Sequence, residues 1–458
     1  MFFTEEAFKF KNIHFHESKG LPSPTKIIED WKTSVSKKPW LDFYSEDVQK
    51  KQIILIYDEF LLNFSFFKKW VSQFKLCFSV KAGEELKSLS SFQAFLVQLD
   101  QQQKTENIQL NRSQCLVVCV GGGSVGDFSA FFAQTFKRGV GFVNIPSTWL
   151  SLVDSSHGGK TALNFKGAKN QLGGFYQSPL IYFVKDLFLP KKSEVLELNL
   201  NFKNYFFESF SEIYKMSLIE GGSFYKKCIQ FINTAYKFNQ TLVETQVQMR
   251  DLSSQKQKSL ALSHKELNQN LNLSRQVYNS KKWFEFIRSH WLEIKHLILL
   301  SAKVKYKIVS QDPYERKNIR QSLNLGHSVG HIIESQLGFS HGKSVAYGLY
   351  FALFVSKNKD ESILKYMNVL LHEYVDQSVE ESYDKDISNR DIAREAHQDS
   401  NVTKKTKDFN FTSFENSPIL LEKKLLLEEE RSLHLLRQDK KGIKKTEVLF
   451  AFCPKPGQ

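Results

Sequence analysis

The chain has 458 residues, enough for two to three domains that each bury a core. Hydrophobic residues make up 41% and charged residues 24%, which excludes a disordered or collagen-like chain, and no apolar run reaches the eighteen or so residues of a membrane span. The formal net charge of +14 suits an anionic substrate, while zinc-finger spacing and an aromatic-basic RNA motif are absent, so neither a nucleic acid nor a membrane is an expected partner. Five cysteines form no staple pattern, and the opening MFFTEEAFKFKN carries early acids instead of a secretory signal; both suit a cytoplasmic protein.

In chain order, FKNIHFHE alternates His14 and His16 in the manner of an edge strand. KQIILIYDEF reads as a buried strand ending in acids, KLCFSV as a second strand, and GEELKSLSSFQAFLVQL as a helix. QCLVVCVGGGSVGDFSAFFAQTFKRG is strand, glycine turn and helix; VGFVNIPST and the start of SPLIYFVKDLFLPKK are further strands. Short apolar strands between helices predict an α/β layer with a mostly parallel sheet. From about residue 190 the spacing turns helical, in NYFFESFSEIYKMSLIE, WFEFIRSHWLEIKHLILLSAKVKYKIV and SVAYGLYFALFVSKN. The expected fold is therefore a Rossmann-like α/β domain over 1–182 followed by an all-helical domain over 183–458. Polar tracts near 250–280 and 380–415 read as loops or surface insertions.

VVCVGGGSVGD sets Gly121, Gly122 and Gly123 between strand and helix, with Gly126 and Asp127 at its end. Glycines let the chain turn sharply and let a phosphate approach the first helical N–H groups, so a nucleotide or dinucleotide is the expected ligand. A tight strand–helix turn without a ligand would look the same. The following run, IPSTWLSLVDSSHGGKTALNFKGAKNQLGGFYQSP, is dense in oxyanion-holding groups: Ser155, Ser156, Lys160, Thr161, Lys169 and Asn170. Asp154 ends so apolar a lead-in that it needs a partner or a ligand. GGKT lacks the full spacing of a Walker A loop.

LNLGHSVGHIIESQLGFSHG holds His327, His331 and His341. The first two are four residues apart and share a helix face, while zinc takes imidazole and carboxylate ligands that need not be neighbours in sequence. Glu212 in SFSEIYKMSLIE is the best acid, although its spacing to Lys215 also suits an ordinary helix surface.

Taken together, GGGSVGD, KRG, the VDSSHGGKT…GAKNQLGGFYQSP run, SEIYK, LNLGHSVGH and HGKSVAYG resemble, in that order, the motifs of the 3-dehydroquinate synthases within the sugar-phosphate cyclases. The resemblance covers roughly 50–235 and 295–375, with an echo near 437–443. It implies an NAD-binding α/β domain, a helical domain holding a divalent metal (zinc, or cobalt), and an active site between them. By the same resemblance Glu212, His327 and His341 are the metal ligands, and His331 faces the substrate instead. Asp154, Lys160, Asn170, Lys215, Lys305, Arg320, Asn324 and Lys440 surround the substrate. Arg138 reaches its phosphate from the partner subunit of a homodimer. Asp58, Glu84, Lys87, Gly121, Gly122, Gly123, Asp127, Thr148, Asp154 and Lys169 line the cofactor. The implied reaction converts 3-deoxy-D-arabino-heptulosonate 7-phosphate to 3-dehydroquinate and phosphate, in the shikimate pathway to aromatic amino acids. It proceeds by transient oxidation with NAD, phosphate elimination, reduction and an intramolecular aldol step.

Some residues depart from that pattern. Lys343 stands where the family usually has an acid, Phe60 where an amide is common, and no glycine follows SEIYK. DPYERKNIRQSLN runs one residue longer, with Glu315 as the matching acid. Two other readings stand beside the synthase: a sister cyclase acting on another heptulose or hexose phosphate, and a degenerate, non-catalytic homologue. Arg320 favours the keto acid, because a guanidinium suits a carboxylate bidentately.

Overall fold

The computed structural model describes residues 8–10, 13–35, 51–191, 193–194, 202–257, 278–356 and 361–371. Within them, seven strands form one sheet in the order β1-β2-β9-β6-β5-β3-β4. These are β1 (Phe8–Phe10), β2 (Ile13–Ser18), β3 (Gln52–Asp58), β4 (Leu76–Val80), β5 (Cys115–Gly121), β6 (Gly141–Pro146) and β9 (Leu180–Val184). Every neighbouring pair is parallel except β1–β2. Strands β5 and β6 are buried along their whole length, as central parallel strands covered on both faces must be.

The two-residue period of β5 divides its side chains between two cores. Leu116, Val118 and Val120 meet Trp31 and Ile27 of α1 (Pro24–Val35) and Phe67 of α2 (Ser65–Val71). Cys115, Val117 and Cys119 face the other way, toward Phe95 of α3 (Leu89–Thr105) and Phe128 and Phe132 of α4 (Gly123–Thr135). Burial pushes both of these thiols up to about 12, which leaves them inert packing residues.

Three local features differ from the sequence expectation. His14 and His16 lie on the second strand, because β1 takes the edge beyond them. The GEELK segment is a short 3-10 turn (Glu84–Lys87), and the helix proper begins at Leu89, where the Ser88 side chain accepts the Ser91 N–H. The oxyanion-rich run forms an antiparallel hairpin outside the sheet, β7 (Lys160–Phe165) with β8 (Ala168–Phe175). Strand β9, the last of the sheet in chain order, lies between β2 and β6 and ends at Val184.

The second half contains α5 (Phe202–Glu220), α6 (Gly222–Gln257), α7 (Trp291–Gln311), α8 (His327–Leu337), α9 (His341–Val355) and α10 (Ser362–Leu371). Residues 250–257 of the first polar tract continue α6; the rest of that tract to 277, and all of 380–415, lie outside the described residues. Helix α5 is buried along most of its length, so it is the central post around which the other helices pack. One apolar core runs from Phe15, Trp149, Leu152, Val153 and Phe183 of the α/β half into Phe206, Phe210 and Trp291 of the helical half. The Trp149 ring lies 5.1 Å from that of Phe206 and 6.1 Å from that of Trp291. Abundant aromatic side chains thus cement the two halves across an apolar seam.

Two glycines allow the close helix crossings. A Cβ on Gly342 would lie 2.2 Å from the Glu208 carbonyl of α5, and one on Gly348 would lie 1.8 Å from the Gly326 carbonyl at the head of α8. Backbone cannot give way there as a flexible side chain can. Gly348→Ala is therefore expected to destabilise the fold by about 1–3 kcal/mol or more through overpacking. A shift of the urea midpoint at unchanged slope would record this.

Candidate active site

The carboxylate of Glu212 sits in the middle of α5 and is fully buried. Neither oxygen accepts a hydrogen bond of normal geometry, although Lys215, one turn on, forms an ion pair with Oε2. Helices α8 and α9 bring two imidazoles to it: His327 Nε2 is 3.3 Å and His341 Nε2 3.9 Å from Glu212 Oε1. One ligand-type atom from each of Glu212, His327 and His341 lies within 4.8 Å of the others.

Both rings are held from behind. His327 Nδ1 is 3.2 Å from the Leu325 carbonyl, and His341 Nδ1 is 3.0 Å from Glu334 Oε2. An acceptor at Nδ1 fixes the Nδ1–H tautomer and presents the Nε2 lone pair to the centre, which is how metal-binding histidines are prepared. A buried carboxylate with no hydrogen bond of normal geometry, facing two such lone pairs, is a donor set that fits a divalent cation. Burial raises the Glu212 carboxyl above its ordinary range against the opposing charge of Lys215. Burial, with Lys215 and the neighbouring imidazoles, drives His327 well below its ordinary value and so keeps it neutral. His331, one turn after His327, is close but is not among these three; its ring centroid is 5.5 Å from that of His327 and 6.3 Å from that of His341.

Lysines and an acid surround this centre. Asp154 lies on a wide π-type turn (Ser151–Ser155) that sends Leu152 and Val153 into the shared core and leaves the carboxylate pointing out of it. Lys305 of α7 forms an ion pair with Asp154. Burial acts to raise the Asp154 carboxyl, but the charges of Lys305 and Lys215 outweigh it and hold Asp154 far below the usual carboxylate range. Arg320 is buried and donates to the Gly158 carbonyl at 2.9 Å and the Pro313 carbonyl at 3.3 Å, while its Nε has no hydrogen-bond partner. Lys160, at the head of β7, pairs with Glu315 at 2.8 Å, the acid the sequence singled out. Asn324 ends the 3-10 turn Ile319–Asn324, three residues before His327.

The cofactor candidates divide into three places. At the glycine turn, Gly121 ends β5, Gly122 caps α4 and Gly123 begins it. Val125 and Thr148 pack so closely on Gly121 and Gly122 that a Cβ would lie 2.5 Å and 3.1 Å from them. Next to this turn Lys87 Nζ is shared by Asp127 at 2.7 Å and Asn170 at 2.5 Å, and Glu84 accepts from Asn164 at 2.7 Å. Asn170 thus stands with the cofactor group, on a positive φ of 57° at the hairpin. Lys169 instead reaches toward Glu334, at 3.9 Å. Asp58 caps the turn after β3 through the Phe60 N–H, and lines a cavity of about 450 Å³ with Phe60, Thr148, Trp149, Tyr205 and His341. That volume is typical of a small-molecule site. The cavity connects the carboxyl end of β3 to the head of α9, across the seam between the two halves.

Arg138 is exposed and lies beyond the far end of α4 from the glycine turn, so it does not reach this chain's own site. Lys440 lies outside the described residues. The sequence reading passed over Glu334, although its spacing from His327 and His331 puts it on the same face of α8.

A glycine turn on an α/β half and a Glu–His–His cluster on a helical half define a two-part protein whose residues fit a dinucleotide phosphate and a divalent cation. Residues 77–194 match the description 3-dehydroquinate synthase N-terminal and residues 266–400 the description 3-dehydroquinate synthase C-terminal, together more than half of the chain. The chain belongs to the 3-dehydroquinate synthase family. It is 29% identical over 329 residues to 3-dehydroquinate synthase of Thermoplasma volcanium, covering 71% of each chain. It is 31% identical over 246 residues to that of Legionella pneumophila strain Lens, covering 53% of this chain and 50% of the relative. The matches thus span between half and about seven tenths of these relatives' own length. Among solved structures, 2-deoxy-scyllo-inosose synthase complexed with carbaglucose-6-phosphate, NAD+ and Co2+ is similar at 18% identity and a TM-score of 0.47, over 81% of this chain and 83% of that one. The 2-epi-5-epi-valiolone synthase of Streptomyces hygroscopicus with NAD+ and Zn2+ bound is similar at 15% identity and 0.48, over 85% and 90%.

His157 makes the floor of this region sensitive to acid. Its Nε2–H donates to the Leu152 carbonyl at 2.8 Å inside the core, and burial lowers its pKa to about 4. The unfolded histidine takes up its proton near pH 6.5, so between these values the unfolded chain binds more protons and stability falls as pH is lowered. The loss should begin below about pH 6.5 and reach about 3 kcal/mol near pH 4. Urea unfolding at pH 7 and pH 4.5 should show a steeper decline for the wild type than for His157→Gln.

Proposed function

We propose that the protein is a 3-dehydroquinate synthase that converts 3-deoxy-D-arabino-heptulosonate 7-phosphate to 3-dehydroquinate and phosphate. It works in the cytoplasm as a homodimer, in the shikimate route to aromatic amino acids. The observation that carries this reading is the meeting of Glu212, His327 and His341 near the Lys305–Asp154 pair. Glu212, His327 and His341 would hold the divalent ion, zinc or cobalt, and the cavity from Asp58 past Thr148 to His341 would seat NAD. When bound, the ion supplies Lewis acidity toward the substrate's hydroxyl and carbonyl oxygens, and the nicotinamide supplies a reversible hydride acceptor.

The chain's own residues do the rest. Lys305 and Lys215 place positive charge where an alkoxide or enolate develops. Asp154, held ionised by Lys305, orients that lysine and remains an acceptor at working pH. Arg320 receives the substrate carboxylate at its buried edge, with Asn324 and His331 alongside. Lys160 attracts the phosphate end from the hairpin, where Glu315 holds it until substrate replaces the carboxylate. Arg138 serves the same phosphate in a second copy of the chain. A site rich in cations and amides lets the departing phosphate act as the base, taking the acidified C–H proton as its C–O bond breaks.

Purified protein incubated with NAD, zinc and the keto acid phosphate should release phosphate and form 3-dehydroquinate. Turnover of a heptulose 7-phosphate lacking the carboxylate, with none of the keto acid, would sink the assignment in favour of a sister cyclase. Arg320→Ala should lower kcat/KM by about 10- to 150-fold, the loss of one charged hydrogen-bonding pair, and leave NAD affinity intact. Collapse of NAD affinity in equilibrium titration would show that Arg320 is misplaced. Glu212→Gln should keep its fold by circular dichroism yet lose stoichiometric zinc and, with it, turnover.

A further inference from the structure

We propose that Glu334 is a positioning residue for the metal centre, setting the ring orientation and tautomer of His341 and tying the β7–β8 hairpin to it. The proposal rests on the metal reading of Glu212, His327 and His341. It starts from an asymmetry between the two imidazoles. His327 follows directly from the turn that places it, and the Leu325 carbonyl two residues back fixes its Nδ1. His341 has no such carbonyl at Nδ1; it opens α9, and its Nδ1 meets the Glu334 carboxylate of α8 at 3.0 Å.

The residue two places after His341 is Lys343, so an acid does not come from the start of α9 itself. Glu334 supplies one from across the helix pair. Its place follows from helical geometry: residues 327, 331 and 334 stack on one face of α8, the face turned to His341. The tight contact of Gly330 with the Ser344 carbonyl, where a Cβ would come within 3.0 Å, holds the two helices close enough for the bond to form. The second oxygen, Oε1, faces Lys169 Nζ of the hairpin at 3.9 Å. One half-exposed carboxylate thereby links a metal-type imidazole to a loop that carries cofactor- and substrate-side groups.

A carboxylate behind a ligand histidine raises its basicity and restricts its rotation, and its loss typically costs 10- to 100-fold in metal affinity. The full-length protein, stripped of metal and titrated with zinc against a chromophoric chelator, tests this directly. Glu334→Ala is expected to weaken zinc binding about 10- to 100-fold, with a metal-free melting temperature within about 4 °C of wild type. Glu334→Gln keeps an oxygen that accepts the Nδ1–H, so it should lose clearly less affinity than the alanine variant. Equal zinc affinity in wild type and Glu334→Ala would overturn the role of Glu334 alone. A folded wild type that takes up no zinc would overturn the metal reading and this inference with it. Equal losses in the Ala and Gln variants, with the metal-free melting temperature depressed to match, would mark Glu334 as merely structural and also overturn the proposal.

Discussion

Everything in the helical half is arranged around one buried negative charge. Taking a carboxylate such as Glu212 out of water costs several kcal/mol unless opposite charge and polar partners replace its hydration. The protein supplies Lys215 on the same helix, then two imidazoles on helices that arrive from elsewhere in the chain. No ordinary hydrogen bond satisfies the carboxylate oxygens, so the fold holds a concentrated demand for a cation at that point. A divalent ion bound there would stabilise the ionised form of the carboxylate.

Holding such a centre requires rigid neighbours. Helix α5 is buried nearly throughout, and the heads of α8 and α9 press together at glycines where no side chain would fit. The aromatic seam through Trp149, Phe206 and Trp291 does the same between the two halves, fixing the π-type turn that carries Asp154 against the helix that carries Lys305. Geometry near the centre is therefore inherited from packing some distance away. A loose seam would separate Asp154 from Lys305 and widen the gap between the glycine turn and the metal-type cluster.

The periphery is organised differently. Lys160 and Glu315 pair at half-exposed positions, where solvent screening makes the bond weak and exchangeable. Lys87 is by contrast buried and shared between Asp127 and Asn170, so the region beside the glycine turn is already set. The region beside the glycine turn is thus preformed, while the ion pair at the hairpin is exposed and replaceable. A chain with a formal charge of +14 can direct an anionic substrate to that exposed pair.

The strands and the glycine turn were legible in the sequence because their signals are local. Buried β-runs such as CLVVCV, the two-residue period and a glycine triplet before a helix each declare themselves within ten residues or so. The order of six motifs also pointed to the family, and Glu212, His327 and His341 were named on that resemblance. Spacing alone instead paired His327 with His331, since helical period says which residues share a face but not what the face meets. Tertiary structure decided the rest. It put β1 outside His14 and His16, folded the oxyanion-rich run into a hairpin, and brought Glu334 behind His341. Those outcomes depend on which helix faces and strand edges meet across many intervening residues. That choice is made by close packing and by the cost of burying unpartnered charge, neither of which is written in any short stretch of chain.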